Sequence, residues 1–445
     1  MEILIKAAQL ILSLSILVVL HELGHFLPAK YFKTKVEKFY LFFDPWFSLF
    51  KKKIGDTEYG VGWLPLGGYV KISGMIDESM DKDQMKKPIE DWEFRAKPPW
   101  QRLIIMLGGV IVNVLLAIFI YSMTLYNYGD KYLSNNALVD GVWCVDDLSV
   151  SLGFQTGDKI KEIDEKPVER FTSILEKMLG AETVTVERAG SELDIDLPNN
   201  FIEQLIENEK SMLFYPRLPP VISSFIENST CEAAGFMVND KITTINSLPI
   251  KYNDEIKGVL SNYKDSTVLI TLLRKGEEIN LKTTVSKEGT IGYYPALLNF
   301  NQLEELGVYK MTYQTYSLLG SFPAGFNKSI KKLSSYIDQF KLILNPESGA
   351  YKGVGGFGAI GSLFPAIWDW ERFWNLTAFL SLMLAFLNIL PIPALDGGHV
   401  AFLLYEIVVG KPAPEKFMEY AQIVGMLILL ALVLYANGND IIKLF

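Results

Sequence analysis

Residues 7–29 read AAQLILSLSILVVLHELGHFLPA, a mainly apolar run that contains the ionisable residues His21, Glu22 and His25. A helix of about 20 mostly apolar residues spans the hydrocarbon core of a bilayer. Ionisable side chains inside such a segment are costly to bury, and they are therefore typical of a functional site. The run predicts a membrane-spanning helix that carries a chemical site near its carboxyl end.

Three further stretches are long and apolar enough to span a bilayer, at residues 103–128, 373–395 and 420–439. The composition agrees with separate membrane and aqueous parts, since 49% of the residues are hydrophobic and 21% are charged. A net charge of −9 argues against a nucleic-acid partner, which requires a basic surface. The predicted fold class is a polytopic α-helical membrane protein with four transmembrane helices.

Basic residues between the first two spans indicate the orientation of the chain: Lys30, Lys33, Lys35, Lys38, Lys51, Lys52, Lys53, Lys97 and Arg102. Cytoplasmic loops are enriched in Lys and Arg, so this loop is predicted to be cytoplasmic. The second span then leads outward, and the region between the second and third spans is predicted to lie outside the cytoplasm.

An internal repeat occupies the middle of the chain. Residues 153–168 read GFQTGDKIKEIDEKPV, and residues 235–250 read GFMVNDKITTINSLPI. The two copies resemble PDZ domains, which predicts two inserted PDZ-like α+β domains at residues 130–200 and 215–290. Such modules can bind an extended peptide at a sheet edge, or they can act as spacers or size filters, and both interpretations stay open. Whether Cys144 and Cys231 pair also stays open.

The pentapeptide His21-Glu22-Leu23-Gly24-His25 has the HExxH pattern of zinc peptidases. On a helix, positions i and i+4 share one face, so both imidazoles can reach one zinc ion. Glu22 is then placed to take a proton from the attacking water. A third protein ligand is needed, and the pattern leaves Asp396 and His399 as alternatives.

These motifs together resemble the site-2 protease family of intramembrane metalloproteases, in peptidase family M50. The resemblance rests on HELGH, on NILPIPALDGGH at residues 388–399, on PLGGYVK at residues 65–71, and on Gly109-Val110-Ile111-Val112-Asn113. The last element departs from the family pattern, because Val110 replaces its proline. The tandem repeat narrows the resemblance to the bacterial regulator-of-sigma-E protease branch.

The resemblance implies roles for particular residues. Asp396 becomes the third zinc ligand, and His399 becomes its neighbour. The residues expected to bind substrate are Asn388, Pro391, Pro393, Gly67, Gly68 and Tyr69. The expected organisation is a membrane core at residues 1–128 with a cytoplasmic-side, membrane-associated β-loop at 54–74, the two PDZ-like domains, an amphipathic helical linker at 310–350, and a second membrane core at 370–445.

The function implied by the resemblance is zinc-dependent cleavage within the transmembrane segments of single-span proteins. Anti-sigma factors already trimmed by another protease and signal-peptide remnants are the expected substrates. The expected location is a bacterial inner membrane, with the PDZ-like domains in the periplasm as a size filter during a stress response. The alternative is a catalytically inactive membrane scaffold that binds partners through these domains. That scaffold would tolerate a damaged HExxH, whereas the motif is intact here.

Overall fold

The computed structural model describes residues 1–65, 67–75, 88–208 and 212–443. The helices in chain order are α1 (Glu2–Tyr31), α2 (Pro99–Tyr128), α3 (Asp147–Ser151), α4 (Ile174–Met178), α5 (Phe201–Glu207), α6 (Thr230–Ala233), α7 (Asn253–Leu260), α8 (Phe300–Glu305), α9 (Leu318–Leu344), α10 (Phe357–Ser362), α11 (Trp370–Ile389), α12 (Asp396–Val409) and α13 (Glu415–Ile442).

The strands in chain order are β1 (Val36–Leu41), β2 (Phe43–Ile54), β3 (Thr57–Leu64), β4 (Tyr69–Ile72), β5 (Asp130–Tyr132), β6 (Val142–Cys144), β7 (Lys159–Ile163), β8 (Lys166–Pro167), β9 (Thr183–Arg188), β10 (Ser191–Asp196), β11 (Phe214–Pro216), β12 (Ile222–Phe225), β13 (Lys241–Ile245), β14 (Leu248–Pro249), β15 (Thr267–Arg274), β16 (Glu277–Thr284), β17 (Tyr293–Pro295) and β18 (Thr312–Gln314). The chain divides into two compact units. The first comprises Met1–Asp130, Thr315–Leu344 and Tyr351–Phe445, and the second comprises Lys131–Gln314 and Asn345–Ala350.

Among the described residues of the first unit, four helices are long and apolar enough to cross a membrane, as the sequence predicts: α1, α2, α11 and α13. The predicted end of the third span is wrong, because α11 stops at Ile389 and does not reach residue 395. Pro391 and Pro393 lack the backbone N–H that a continuing helix needs. The chain therefore breaks after α11, and a separate helix, α12, starts at Asp396. This break places Asp396 in the first turn of a helix, where the helix dipole favours a negative charge.

The helix that carries HELGH packs against α2 through glycine. A Cβ atom built on Gly24 would lie 2.7 Å from the carbonyl carbon of Gly108 and 2.8 Å from Cα of Gly109. Both distances are far inside van der Waals contact, so α1 and α2 approach backbone to backbone at this level. The small residues of the two motifs therefore bring α2 directly beside the histidines of α1.

A four-stranded sheet in the order β2-β3-β1-β4 follows α1. Strands β3 and β4 fall within the predicted β-loop, of which Leu66 lies outside the described residues. Strands β1 and β2 are not predicted from the sequence, since β2 contains Pro45 and a run of consecutive lysines without apolar–polar alternation. The strand β4 lies at one edge of the sheet, and it pairs with β1 in antiparallel fashion.

The helix α9, Leu318–Leu344, lies within the predicted amphipathic linker at residues 310–350. Its buried side consists of small residues and one tyrosine: Ser321, Gly325, Ser329 and Tyr336. The hydroxyl of Tyr336 donates to the carbonyl of Phe379 on α11 at 3.0 Å. The apolar residues Phe326, Ile330 and Ile337 are exposed, as expected for a helix that faces lipid.

The second unit contains the same small sheet twice. The strand orders are β10-β9-β7-β8 in the first copy and β16-β15-β13-β14 in the second. The repeated Asp of each copy is buried and forms a bidentate ion pair with an arginine. Arg188 pairs with Asp158, and Arg274 pairs with Asp240. These pairs explain why both copies share an Asp and a distant Arg.

Each sheet of the repeat has its own hydrophobic core. Cys144 lies in the first core and Cys231 in the second, and both are buried free thiols. Burial raises the pKa of Cys144 to about 11. The pairing that the sequence leaves open therefore does not occur in this structure.

Candidate metal centre

Three side chains from two distant parts of the chain converge in the first unit. His21 and His25 lie one turn apart on α1, and their Nε2 atoms are 3.3 Å from each other. Oδ2 of Asp396, at the start of α12, lies 3.3 Å from the Nε2 atom of each histidine. Among the described residues, these three form the group of donors close enough to hold a metal ion. His399 does not belong to that group, although it lines the same cavity.

The spacing of the three donors fits zinc. In a tetrahedral site, neighbouring ligand atoms are about 1.6 bond lengths apart, so zinc bonds of about 2.0–2.1 Å give ligand separations of about 3.3–3.4 Å. The observed separations are all 3.3 Å. Oδ2 of Asp396 is also buried without a hydrogen bond among the described residues. A buried carboxylate oxygen without a hydrogen bond, facing two imidazole nitrogens, is what a metal ion would satisfy.

Hydrogen bonds on the far side of each imidazole orient the histidines. Nδ1 of His25 lies 2.8 Å from the carbonyl oxygen of Ile105 on α2. Because a carbonyl only accepts, His25 donates through Nδ1–H, and its Nε2 lone pair is left for a metal. Nδ1 of His21 lies 3.1 Å from the carboxamide of Asn113, also on α2. Nε2 of His21 also lies 3.3 Å from the carboxamide nitrogen of Asn388.

A cavity of about 470 Å³ opens at this centre, and Glu22 and Asp396 are both in its wall. The edge strand β4 and the residues that lead into it form another wall, which includes Gly68 and Tyr69. A Cβ atom built on Gly68 would lie 3.5 Å from Cγ of Glu22. The glycine therefore lets this backbone approach the HELGH helix closely.

The predicted substrate-binding residues differ in their relation to this cavity. Asn388 contacts His21, as described above. Gly67, Pro391 and Pro393 are not among the described residues that line the cavity. The hydroxyl of Tyr69 donates to Asp44 at 2.9 Å, and burial together with this acceptor raises the pKa of Tyr69.

Several residues at the centre are not predicted from the sequence. Lys38 and Lys71 line the cavity, whereas the sequence predicts the first only as a basic residue of the cytoplasmic loop and the second only as part of the PLGGYVK motif. Gln422, from α13, also lines the cavity. It lies far along the chain from the HELGH motif, so the sequence does not predict its place at the centre. In the sequence, Asn113 stands out only as the last position of the Gly109–Asn113 motif, which indicates no partner for its side chain.

Comparison with known proteins agrees with this geometry. The family model described as "Peptidase family M50" matches residues 9–432. The chain is 27% identical to the regulator of sigma E protease of Haemophilus influenzae, with all of both chains covered. It is 26% identical to a candidate zinc metalloprotease of Vibrio cholerae and 29% identical to one of Rickettsia conorii, with 98% of each chain covered in both comparisons.

The match extends over both membrane parts of the chain and the repeat between them. The predicted zinc cofactor is confirmed, because the donor set fits zinc and the relatives carry zinc metalloprotease names. The four apolar helices found among the described residues, together with the family match, make the chain a multi-pass membrane protein. The predicted family is confirmed as well: this chain belongs to peptidase family M50.

Proposed function

We propose that this chain is an intramembrane zinc metalloendopeptidase of the site-2 protease type. In this proposal it cuts peptide bonds inside the membrane segments of single-span proteins. The observation that carries the proposal is the triangle of His21, His25 and Asp396 donors at 3.3 Å separations, with Glu22 in the wall of the same cavity. An inactive scaffold would not need two histidines within a membrane-spanning helix that converge with an aspartate, because ionisable groups in such a helix are costly to keep.

The proposed chemistry divides between the metal and Glu22. His21, His25 and Asp396 hold the ion. Bound zinc supplies Lewis acidity to a water molecule and to the scissile carbonyl. Glu22 takes a proton from the attacking water and then delivers a proton to the nitrogen of the leaving amine. Asn388 is proposed to hold the substrate backbone, because a carboxamide both donates and accepts, and its contact with His21 supports this role.

The edge strand β4 supports a mode of substrate binding. Peptide bonds of a helix are shielded by their own hydrogen bonds, so a membrane helix must unwind before hydrolysis. Among the described strands, β4 pairs only with β1, and Gly68 and Tyr69 at its start line the metal cavity. An unwound segment could therefore add to this edge as an extended strand. Gly67, Pro391 and Pro393 are proposed to border the same path.

The proposal is tested with purified full-length protein in detergent and a single-span substrate whose membrane segment is sequenced after cleavage. We expect cleavage within the apolar segment, loss of cleavage after chelation, and recovery with added zinc but not with magnesium. Magnesium should fail because it prefers oxygen ligands in octahedral geometry. Cleavage that survives verified metal removal, or that occurs only outside the apolar segment, would contradict the proposal.

The repeated modules are proposed to be PDZ-like domains in the periplasm that act as a size filter. In this proposal the enzyme sits in a bacterial inner membrane and cuts trimmed anti-sigma factors and signal-peptide remnants. Support comes from the two copies of the small sheet and from the basic loop that predicts a cytoplasmic zinc site. On that topology, the modules act by excluding bulky external domains, because they lie on the other side of the membrane from the chemistry.

Removal of the modules tests the filter. Strands β5 and β18 pair at the two ends of the insert, so residues 133–311 can be replaced by a short flexible linker. We expect the shortened enzyme to keep its zinc, to cut untrimmed substrates that the full chain rejects, and to cut trimmed substrates at a similar rate. A peptide-capturing role instead predicts slower cutting of trimmed substrates. The shortened chain with Glu22→Gln serves as the control for contaminating proteases, and continued rejection of untrimmed substrates would exclude the filter.

A further inference from the structure

The side chain of Asn113 is fully buried at the point where α2 passes α1. Its carboxamide nitrogen lies 3.1 Å from Nδ1 of His21. Its carboxamide oxygen is buried without a hydrogen bond among the described residues. A polar oxygen in this state costs free energy, so the arrangement calls for an explanation.

The chemistry of a zinc-bound histidine supplies the explanation. A neutral imidazole that binds metal through Nε2 carries its proton on Nδ1, and that N–H needs an acceptor. The nitrogen and oxygen of a carboxamide are told apart only by their hydrogen-bond partners, and a half-turn exchanges them. A half-turn of the Asn113 carboxamide would place its unsatisfied oxygen against Nδ1 of His21.

We infer that Asn113 is a positioning residue of the metal centre: its Oδ1 accepts a hydrogen bond from Nδ1–H of His21 and holds Nε2 toward zinc. The inference rests on the proposed function, in which His21 is a zinc ligand. It goes beyond that function by assigning the group that fixes the tautomer of His21. Asn113 does not touch the metal or the substrate in this account.

Two neighbouring contacts show that the position of Asn113 is held from several sides. Ser381 on α11 donates to the backbone carbonyl of Asn113 at 2.7 Å, and its side chain is buried. One turn earlier on α2, a Cβ atom built on Gly109 would lie 2.6 Å from Cε1 of His21. The absence of that Cβ lets α2 come close enough for the carboxamide to reach the imidazole.

The other histidine provides an independent parallel. His25 donates through Nδ1–H to the carbonyl of Ile105, which lies on the same helix as Asn113. The helix α2 therefore supplies the acceptor for His25 from its backbone. At His21, the matching acceptor comes from a side chain, because the carboxamide of Asn113 faces Nδ1 of His21.

The test compares two substitutions in the full-length protein in detergent, with zinc affinity measured by competition against a fluorescent chelator. Asn113→Leu keeps the volume but removes the acceptor, so we expect a 10- to 100-fold loss of zinc affinity. Asn113→Asp keeps an acceptor, so its affinity should stay close to that of the wild type. Thr377→Val is the matched control, since it removes the buried contact with Ser13 between α11 and α1 without touching the histidines.

The outcomes separate positioning from packing. If Asn113 only packs the helices, a buried carboxylate at this position should be at least as harmful as leucine, and the Asp variant would lose zinc too. Unchanged or increased affinity in Asn113→Leu would also overturn the inference, because the carboxamide would then not be accepting. Thermal unfolding of each variant checks that it folds.

A measurement on the wild type does not depend on any variant folding. The chain has three histidines, so ¹⁵N-histidine labelling gives a simple spectrum. In the zinc-loaded protein, we expect a proton on Nδ1 of His21 that is protected from exchange with solvent. An unprotonated Nδ1 of His21 in zinc-loaded protein would overturn this inference but not the proposed function. A wild type that binds no zinc would overturn the proposed function.

Discussion

Replacing Asp396 by alanine should remove zinc from the purified protein. Oδ2 of Asp396 is one of three donors at 3.3 Å separations, and two histidines alone leave too few ligands for tight binding. Metal analysis should therefore find about one zinc per wild-type chain and almost none in Asp396→Ala. His21→Ala and His25→Ala should behave in the same way.

His399→Ala is the matched control for Asp396→Ala. His399 lies in the first turns of the same helix, α12, and lines the same cavity, but it is not part of the donor group. We expect the His399→Ala variant to keep its zinc. The opposite pattern, with zinc retained in Asp396→Ala and lost in His399→Ala, would show that the ligand assignment is wrong.

Glu22→Gln should abolish most of the activity while leaving the metal in place. The substitution keeps the shape of the side chain but removes its basicity, and general acid–base groups typically contribute a 10²- to 10⁴-fold rate factor. We therefore expect kcat for a trimmed single-span substrate to fall by at least about 100-fold. Zinc content should stay at the wild-type value, since Glu22 is not in the donor group.

Zinc analysis and cleavage must be measured on the same preparation of Glu22→Gln, so that a lost metal is not mistaken for a lost base. The zinc-free His25→Ala variant gives the reference for activity without metal. Wild-type turnover in zinc-loaded Glu22→Gln would remove Glu22 from the mechanism.

The local part of the site could be predicted from the sequence, because HELGH lies within one helix and helical spacing places both histidines on one face. The third member of the donor group could not be derived in this way. Asp396 and His399 lie three residues apart, and spacing alone left both as alternatives until the family resemblance favoured Asp396. The structure separates them, since only the carboxylate joins the donor group among the described residues.

Contacts between distant segments account for most of what the sequence analysis missed. Periodicity locates the apolar stretches of α2 and α11, but it does not say which polar side chain meets which across their interface. The contact between Asn113 and His21 is of this kind. The end of α11 was misplaced for a different reason, because the apolar run continues through Pro391 and Pro393 although the helix does not.

The close crossing at Gly24 links the HELGH motif to a second helix. The two middle positions of HExxH are usually treated as free, yet here the second one rests against the backbone of Gly108 and Gly109. A larger residue at position 24 would push the imidazoles out of reach of their partners on α2, even with both histidines intact. In comparisons of relatives, substitutions at positions 24, 108 and 109 should be correlated. A sequence pattern for M50 peptidases should therefore become more selective when it requires small residues at these positions on both helices.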